Sequence, residues 1–280
     1  MQIGKLKLSV VEHGFFALDG GAMFGIIPRN LWQRTNPPDS QNRITLATRG
    51  LLIEFDNKKV LVDTGMGQKW DEKSAHIYDV RQETHSTASS LAALGIKPED
   101  ITDVFLTHLH FDHTGGSTVT RDGKTEPAFP NAKYHVRKQN FEWGMNPSDR
   151  DRGSYIKENF EPLAAEGLLN FTDNDSHFLT PELKIVTLNG HTFGQQVLEI
   201  SDGNRTIFYC ADLIPTAGHL NLAYIMGYDL QPLVTLAEKK ELLPRALDDN
   251  FYLFLEHDPE GGLIKVKKEK SYVYERVEFI

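Results

Sequence analysis

Four side chains that can bind a metal ion lie within six residues of one another, directly after a short apolar run. The segment at 104–116 reads VFLTHLHFDHTGG and contains His108, His110, Asp112 and His113. Residues i and i+2 of an extended chain point to the same side, so His108 and His110 can bind one ion. The turn that follows directs Asp112 and His113 towards a second point. Such a concentration of ionisable side chains has no advantage for packing, and the spacing therefore predicts two neighbouring metal ions.

A site with two ions needs further ligands, and three candidates follow other strand-like runs. His191 follows VTLNG, Asp212 follows IFYCA, and His257 follows FYLFLE. Asp63, in KVLVDTG, has the same placement, and we expect it to orient a ligand histidine. Each of these residues alone would be an ordinary hydrogen-bonded or turn-forming residue, and only the first cluster marks them as ligands. Imidazole and carboxylate without thiolate suit zinc, which we expect, with manganese, iron or cobalt as alternatives.

The elements that must position these side chains are mostly strands. Runs of alternating or β-branched residues predict strands at 5–12, 44–55, 59–63, 104–107, 132–136, 183–188, 196–200, 206–211, 252–255 and 271–279. Helical spacing predicts helices at 86–94, ended by Gly95, and at 154–165 and 234–247. Strands in two runs with helices between them favour two packed sheets covered by helices. With no linker or repeat visible, we expect a single domain over residues 1–280.

Composition and charge exclude several classes of protein. The 280 residues are 40% hydrophobic and 25% charged, as in ordinary globular domains. The 30 basic and 39 acidic residues give a net charge of -9, which argues against a nucleic-acid partner. Cys210 is the one cysteine, so the sequence predicts no internal disulfide. No long apolar run or secretion signal is visible, and we therefore expect a cytoplasmic protein with no membrane partner and a small-molecule substrate.

The segment at about 14–42 is rich in turn-forming residues and is predicted to form a long loop or flap. Its exposed-looking apolar side chains are Met23, Phe24, Ile26, Ile27 and Trp32. They would form an apolar wall for a substrate with an apolar tail. The alternative is that they pack beneath the loop or form the contact of a homodimer.

Five motifs, taken together, resemble those of the metallo-β-lactamase-fold hydrolases. They are LVDTG at 61–65, THLHFDHTGG at 107–116, GHTFGQ at 190–195, CAD at 210–212 and EHD at 256–258. The resemblance implies an α+β fold, a four-layer αββα sandwich, with a site for two metal ions. Carried over position by position, it implies one ion bound by His108, His110 and His191, a second bound by Asp112, His113 and His257, and Asp212 bridging them.

Within that family, the sequence is most similar to the N-acyl homoserine lactonase and methyl parathion hydrolase group. The similarity implies that a hydroxide bridging the metals attacks an ester or lactone, such as an acyl homoserine lactone, with Asp112 carrying the proton. Two positions depart from the lactonase pattern: Pro215 replaces a tyrosine, and Gln195 replaces the last histidine of GHxxGH. Tyr224 and Tyr228 are candidates to take the place of that tyrosine in the substrate pocket.

Three other functions fit the motifs less well. One is a phosphodiesterase or phosphotriesterase of the same fold, although the acidic balance argues against an RNA substrate. The second, a glyoxalase II type of thioesterase, is disfavoured by the short stretch of chain after the last predicted ligand. The third is a non-catalytic metal-binding or redox protein, which would predict a missing or replaced ligand, whereas all seven ligand positions are filled.

Overall fold

The computed structural model describes residues 1–279, which divide into two compact units. The first unit comprises residues 1–15 and 48–174, and the second comprises residues 16–47 and 175–279. The prediction of a single domain is not tested by this division and stays a prediction.

The first sheet is mixed and holds most of the strands up to residue 172. In chain order the strands are β1 (Gln2–Ile3), β2 (Leu6–Asp19), β3 (Arg43–Phe55), β4 (Lys58–Val62), β5 (Asp103–Phe105), β6 (Thr118–Arg121), β7 (Lys124–Pro127), β8 (Lys133–Arg137) and β9 (Leu169–Thr172). The strand order in the sheet is β1-β2-β3-β4-β5-β8-β9, and β6 pairs with β7 separately. The pairs β4-β5, β5-β8 and β8-β9 are parallel. The strand order places β4 and β5 in the interior of the sheet.

The central strands of this sheet are buried because they are almost wholly apolar. Val60, Leu61 and Val62 of β4 and Val104 and Phe105 of β5 are fully buried. Parallel strands covered on both faces are expected to show such continuous apolar runs. The rigid end of β5 is the point from which the histidine-rich segment leaves the sheet.

The second sheet contains the strands from residue 177 onwards. They are β10 (His177–Phe178), β11 (Thr180–Leu188), β12 (Gln195–Ser201), β13 (Thr206–Tyr209), β14 (Phe251–Phe254), β15 (Leu263–Lys268) and β16 (Tyr272–Arg276). Neighbours in sequence are neighbours in the sheet, and only β13 and β14 among these pairs run parallel. The ends of β11, β13 and β14 lead directly into the segments that contain His191, Asp212 and His257.

The helices are short apart from the last one. They are α1 (Gly20–Phe24), α2 (Arg29–Trp32), α3 (Glu72–Ile77), α4 (Thr87–Ala93), α5 (Phe111–Thr114), α6 (Lys138–Met145), α7 (Glu161–Ala165) and α8 (Pro232–Arg245). The predicted helices at 86–94 and 234–247 are confirmed as α4 and α8. The helix predicted at 154–165 is wrong for its first half, where short 3-10 turns precede α7. Among residues 1–279, no helix combines the length and the apolar character needed to cross a membrane.

The segment at 14–42 has more regular structure than the predicted loop. Strand β2 continues to Asp19, and α1 and α2 follow. The Asp19 side chain begins α1 by accepting a hydrogen bond from the backbone N of Ala22 at 2.8 Å. The sequence analysis missed α1 because its first two residues are glycines, which disfavour helix. A role of this segment as a flap stays a prediction.

Candidate metal centre

The first unit brings together the four predicted ligands of the HLHFDH motif. The chain turns after β5, and α5 carries Asp112 and His113 directly after His110. The side chains of His108, His110, Asp112 and His113 are all buried. Nε2 of His108 lies 3.0 Å from Nδ1 of His110, so these two rings converge as the extended spacing predicted.

Asp63 fixes the orientation of one of these histidines. Its carboxylate accepts hydrogen bonds from the backbone N and the Oγ1 of Thr107, at 2.8 and 2.7 Å. The same carboxylate lies 3.1 Å from Nδ1 of His113. A carboxylate can only accept, so Nδ1 of His113 carries the proton and Nε2 is the ring nitrogen of the kind that binds a metal ion.

The second unit brings together the other three predicted ligands. Asp212 lies in a 3-10 turn after β13, and its two carboxylate oxygens face different histidines. Oδ2 lies 3.0 Å from Nε2 of His191, and Oδ1 lies 3.0 Å from Nε2 of His257. All three side chains are buried. A carboxylate that faces two imidazoles with separate oxygens is suited to bridging two ions.

Two hydrogen bonds orient these histidines from the side away from Asp212. Nδ1 of His191 donates to Oδ1 of Asp229 at 2.9 Å, and Oγ1 of Thr235 donates to the other oxygen of Asp229 at 2.7 Å. Nδ1 of His257 donates to the backbone O of Ala47 at 2.8 Å. Each imidazole therefore presents Nε2 towards Asp212. The sequence analysis missed Asp229, which lies in a turn-like stretch before α8 with nothing that marks it as a partner of His191.

The charges around His191 favour a bound cation. Burial alone would lower the pKa of this histidine, but the carboxylates of Asp212 and Asp229 raise it to about 10. Two buried carboxylates beside one imidazole thus carry more negative charge than the cluster neutralises, unless a proton or a metal ion is bound.

The donor set fits divalent metal ions. In each unit the predicted ligands are buried histidines and carboxylates: His108, His110, Asp112 and His113 in the first, and His191, Asp212 and His257 in the second. Asp63 in the first unit and Glu256 in the second are further buried carboxylates. The Glu256 carboxylate accepts a hydrogen bond from the Tyr209 hydroxyl at 2.9 Å. Nitrogen and oxygen donors without thiolate are compatible with zinc, manganese, iron or cobalt.

Comparison with known proteins decides the family. Residues 47–257 match the metallo-beta-lactamase superfamily, and this range contains all seven predicted ligands. The chain belongs to that superfamily. The predicted α+β class, the metallo-β-lactamase fold and the class of metal-dependent hydrolase are therefore confirmed.

Relatives of this metallo-β-lactamase-fold protein include lactonases. The N-acyl homoserine lactonase AttM of Azorhizobium caulinodans is 26% identical over 265 residues, which cover 93% of this chain and 92% of AttM. A probable metal-dependent hydrolase from Staphylococcus aureus has a TM-score of 0.88 at 26% identity, covering 99% of this chain and 100% of that one. The dizinc quorum-quenching lactonase AidC, solved with a product, has a TM-score of 0.82 at 26% identity, covering 100% of this chain and 97% of AidC.

The predicted substrate-pocket residues fall into two groups. Met23, Phe24 and Trp32 are buried, and the Phe24 ring stacks on Trp32 with a centroid distance of 5.4 Å and on His219 with 4.1 Å. Burial of these three side chains agrees with the packing alternative. By contrast, Ile26 is 89% exposed.

The two predicted pocket tyrosines belong to the second unit. Tyr224 meets the Phe24 ring edge-on, with a centroid distance of 6.1 Å, whereas Tyr228 is exposed. A role for Ile26, Tyr224 or Tyr228 in substrate binding stays a prediction.

An aromatic cluster next to two of the predicted metal ligands was missed by the sequence analysis. Phe111, which separates His110 from Asp112 in the chain, lies 5.5 Å from Trp70 and 5.0 Å from Tyr78 between ring centroids. Phe111 lies 33 residues after Tyr78 and 41 after Trp70, so only the fold reveals that these rings meet. They form an apolar surface in the first unit beside the metal-binding motif.

Proposed function

We propose that this protein hydrolyses lactones that carry an acyl chain, with an N-acyl homoserine lactone as the candidate substrate and two divalent metal ions as cofactors. The observation that carries the proposal is that each unit contains a buried cluster of histidines and carboxylates. Their ring nitrogens and carboxylate oxygens are the atoms that could bind metal ions. The lactonases among its relatives support the substrate class.

The proposed ligand set joins both clusters. His108, His110 and His191 would hold one ion, Asp112, His113 and His257 would hold the other, and Asp212 would bridge them. The 3.0 Å distances from the two Asp212 oxygens to His191 and His257 support the bridging role. Zinc is the metal we expect, because the donors are imidazole and carboxylate and AidC is a dizinc enzyme.

When bound, two such ions supply hydroxide at neutral pH and polarise the lactone carbonyl. Asp63 and Asp229 accept hydrogen bonds from Nδ1 of His113 and His191, an arrangement that would direct the Nε2 side of each ring towards a metal ion. Asp112 takes up the proton that is released on attack and delivers it to the oxygen of the opening ring.

Tyr78 is an alternative donor for that proton. Burial, and then the charge of Asp112, raise the pKa of Tyr78 above its ordinary value. Its phenol is therefore protonated at neutral pH and able to donate a hydrogen bond. The sequence analysis looked for this tyrosine at Tyr224 or Tyr228 instead.

The aromatic cluster of Trp70, Tyr78 and Phe111 supports a substrate with an apolar part. Phe111, which contacts the other two rings, directly precedes the proposed ligand Asp112 in the chain. The charge of Asp112 also contributes to the raised pKa of Tyr78. An acyl chain placed on this surface would leave water, with about 0.8 kcal/mol gained for each buried methylene. The same surface offers nothing to a compact, purely ionic substrate.

Proton release during hydrolysis of N-butanoyl and N-decanoyl homoserine lactones by zinc-loaded protein tests the proposal. We expect metal-dependent turnover that is abolished in His108→Ala and unchanged in His177→Ala, since His177 is exposed. Asp112→Asn should lower kcat by about 100-fold or more if it carries the proton.

Two results would contradict the proposal. Bound zinc without turnover of either lactone would remove the lactone substrate, and phosphotriesters and phosphodiesters would then be tested. Full activity in His108→Ala would show that the ligand set is wrong.

A further inference from the structure

The first unit contains a cavity that the proposed hydrolysis does not use. Its volume is about 390 Å³, which lies in the range of sites for small ligands, about 300–1,000 Å³. Its walls come from the turn at 67–69, the start of α4 and the β6 strand. All of the predicted metal ligands are among the described residues 1–279, and none of them lines this cavity.

The polar side of the cavity is positively charged. Lys69 and Arg121 both line it, and among the described residues of its wall no carboxylate occurs. This is unusual in a chain with 39 acidic residues and a net charge of -9. The nearest acidic partner of Arg121 is Glu126, at 3.6 Å, and both of these side chains are exposed, so their ion pair is weak. The cavity wall therefore favours an anion.

Lys69 is held in place by neutral groups. Its Nζ donates to the backbone O of Gly115 at 2.7 Å and to that of Thr118 at 2.8 Å. An ammonium group has three hydrogens to donate, and these two carbonyls take two of them. Burial lowers the pKa of Lys69 to about 8, and the charge of Glu158 opposes this only in part. An anion in the cavity would compensate for the burial of this charge.

Other parts of the cavity wall are apolar. Leu91 and Phe129 line it and also belong to the buried core of the first unit. Val119 lies partly buried beside them. The wall thus combines two cationic side chains with apolar side chains that belong to the buried core.

From this combination we infer that the cavity is a binding site for a small amphiphilic carboxylate, such as a medium-chain fatty acid. The carboxylate would contact Lys69 and Arg121, and the chain would lie along Leu91 and Phe129. The inference concerns a site other than the proposed metal centre and does not depend on which substrate the enzyme hydrolyses.

Isothermal titration calorimetry of zinc-loaded protein with sodium octanoate tests this site. We expect saturable binding of one octanoate per cavity. Acetate shares the charge but not the chain, and 1-octanol shares the chain but not the charge, so each should bind at least tenfold more weakly. Equal binding of 1-octanol would overturn the anionic character of the site, and no binding of octanoate would overturn the site itself.

Matched variants distinguish this cavity from the metal centre. Lys69→Gln removes the charge, and Ala88→Trp fills the cavity from an exposed wall position. Both should weaken octanoate binding at least tenfold, whereas exposed residues outside the wall, changed in Lys73→Gln and Ala92→Trp, should leave it within twofold.

Because Ala88 is exposed, its replacement keeps the test valid even if Lys69→Gln fails to fold. If octanoate bound to the metal ions instead, all soluble variants would bind it alike, and the inference would be wrong.

Discussion

Asp229 accepts a hydrogen bond of 2.9 Å from Nδ1 of His191, 38 residues earlier in the chain. Because Thr235 of α8 holds the other carboxylate oxygen, the position of a proposed metal ligand depends on the packing of a helix that supplies no ligand itself. The orientation of His191 is thus set by α8 rather than by the GHTFGQ motif.

Removal of Asp229 should weaken metal binding. In Asp229→Ala, Nδ1 of His191 loses its acceptor, and we expect zinc affinity to fall by about 10- to 100-fold. Asp229→Asn keeps an acceptor oxygen but not the charge and should have a smaller effect. Competition with a chelating dye measures the affinity, with Asp249→Asn, an exposed position, as control. Wild-type affinity in Asp229→Ala would refute the positioning role.

His219 should make the protein sensitive to acid. It is buried, and its Nε2 donates to the backbone O of Met23 at 2.9 Å, so in the neutral ring Nδ1 accepts from Thr216 Oγ1 at 2.8 Å. Burial is the main cause that lowers the pKa of His219 to about 3, against about 6.5 in the unfolded chain. Between these values only the unfolded chain binds the proton, so the free energy of unfolding falls as the pH falls through this window.

Urea unfolding of wild type and His219→Phe, both in EDTA, tests whether His219 lowers the free energy of unfolding as the pH falls. The variant loses two hydrogen bonds and should be less stable at pH 7.5. Its disadvantage should shrink by about 2 kcal/mol by pH 5.0, because the phenyl ring has no proton to bind. A difference that stays constant over this range would contradict a neutral, buried His219.

Trp70 should matter more for long acyl chains than for short ones. We expect Trp70→Ala to lower kcat/KM for N-decanoyl homoserine lactone about tenfold more than for the N-butanoyl substrate, since the loss scales with buried apolar area. The Trp70 indole also donates to the backbone O of Met66 at 2.9 Å. Trp70→Phe removes that bond but keeps a ring, and it should retain most of the preference for the long chain. An equal loss for both substrates in Trp70→Ala would assign the ring a structural role.

The sequence predicted the features that depend on residues close together in the chain, such as a ligand cluster or a helix end. The HLHFDH cluster was recognisable because four potential ligands lie within six residues of one another after β5. The helix α4 was predicted from its helical spacing and from Gly95, which has a φ of +72° and ends it; the structure adds a reciprocal cap of Ser86 and Ser89 at its start.

Relationships between distant residues were not predictable in the same way. Asp229 and the rings of Trp70 and Tyr78 acquire their roles only when the fold brings them to His191 and Phe111. Strand β15 was missed because three lysines obscure its alternation, although Leu263, Ile264 and Val266 are buried.

The most direct test of the central claim is stepwise addition of zinc to metal-free protein, with bound zinc and hydrolysis of N-decanoyl homoserine lactone measured at each step. We predict that activity appears only with bound metal and reaches its plateau at two ions per chain, and that Asp212→Ala loses both the second ion and the activity. A plateau at one ion, or two bound ions with no lactone hydrolysis, would contradict the account.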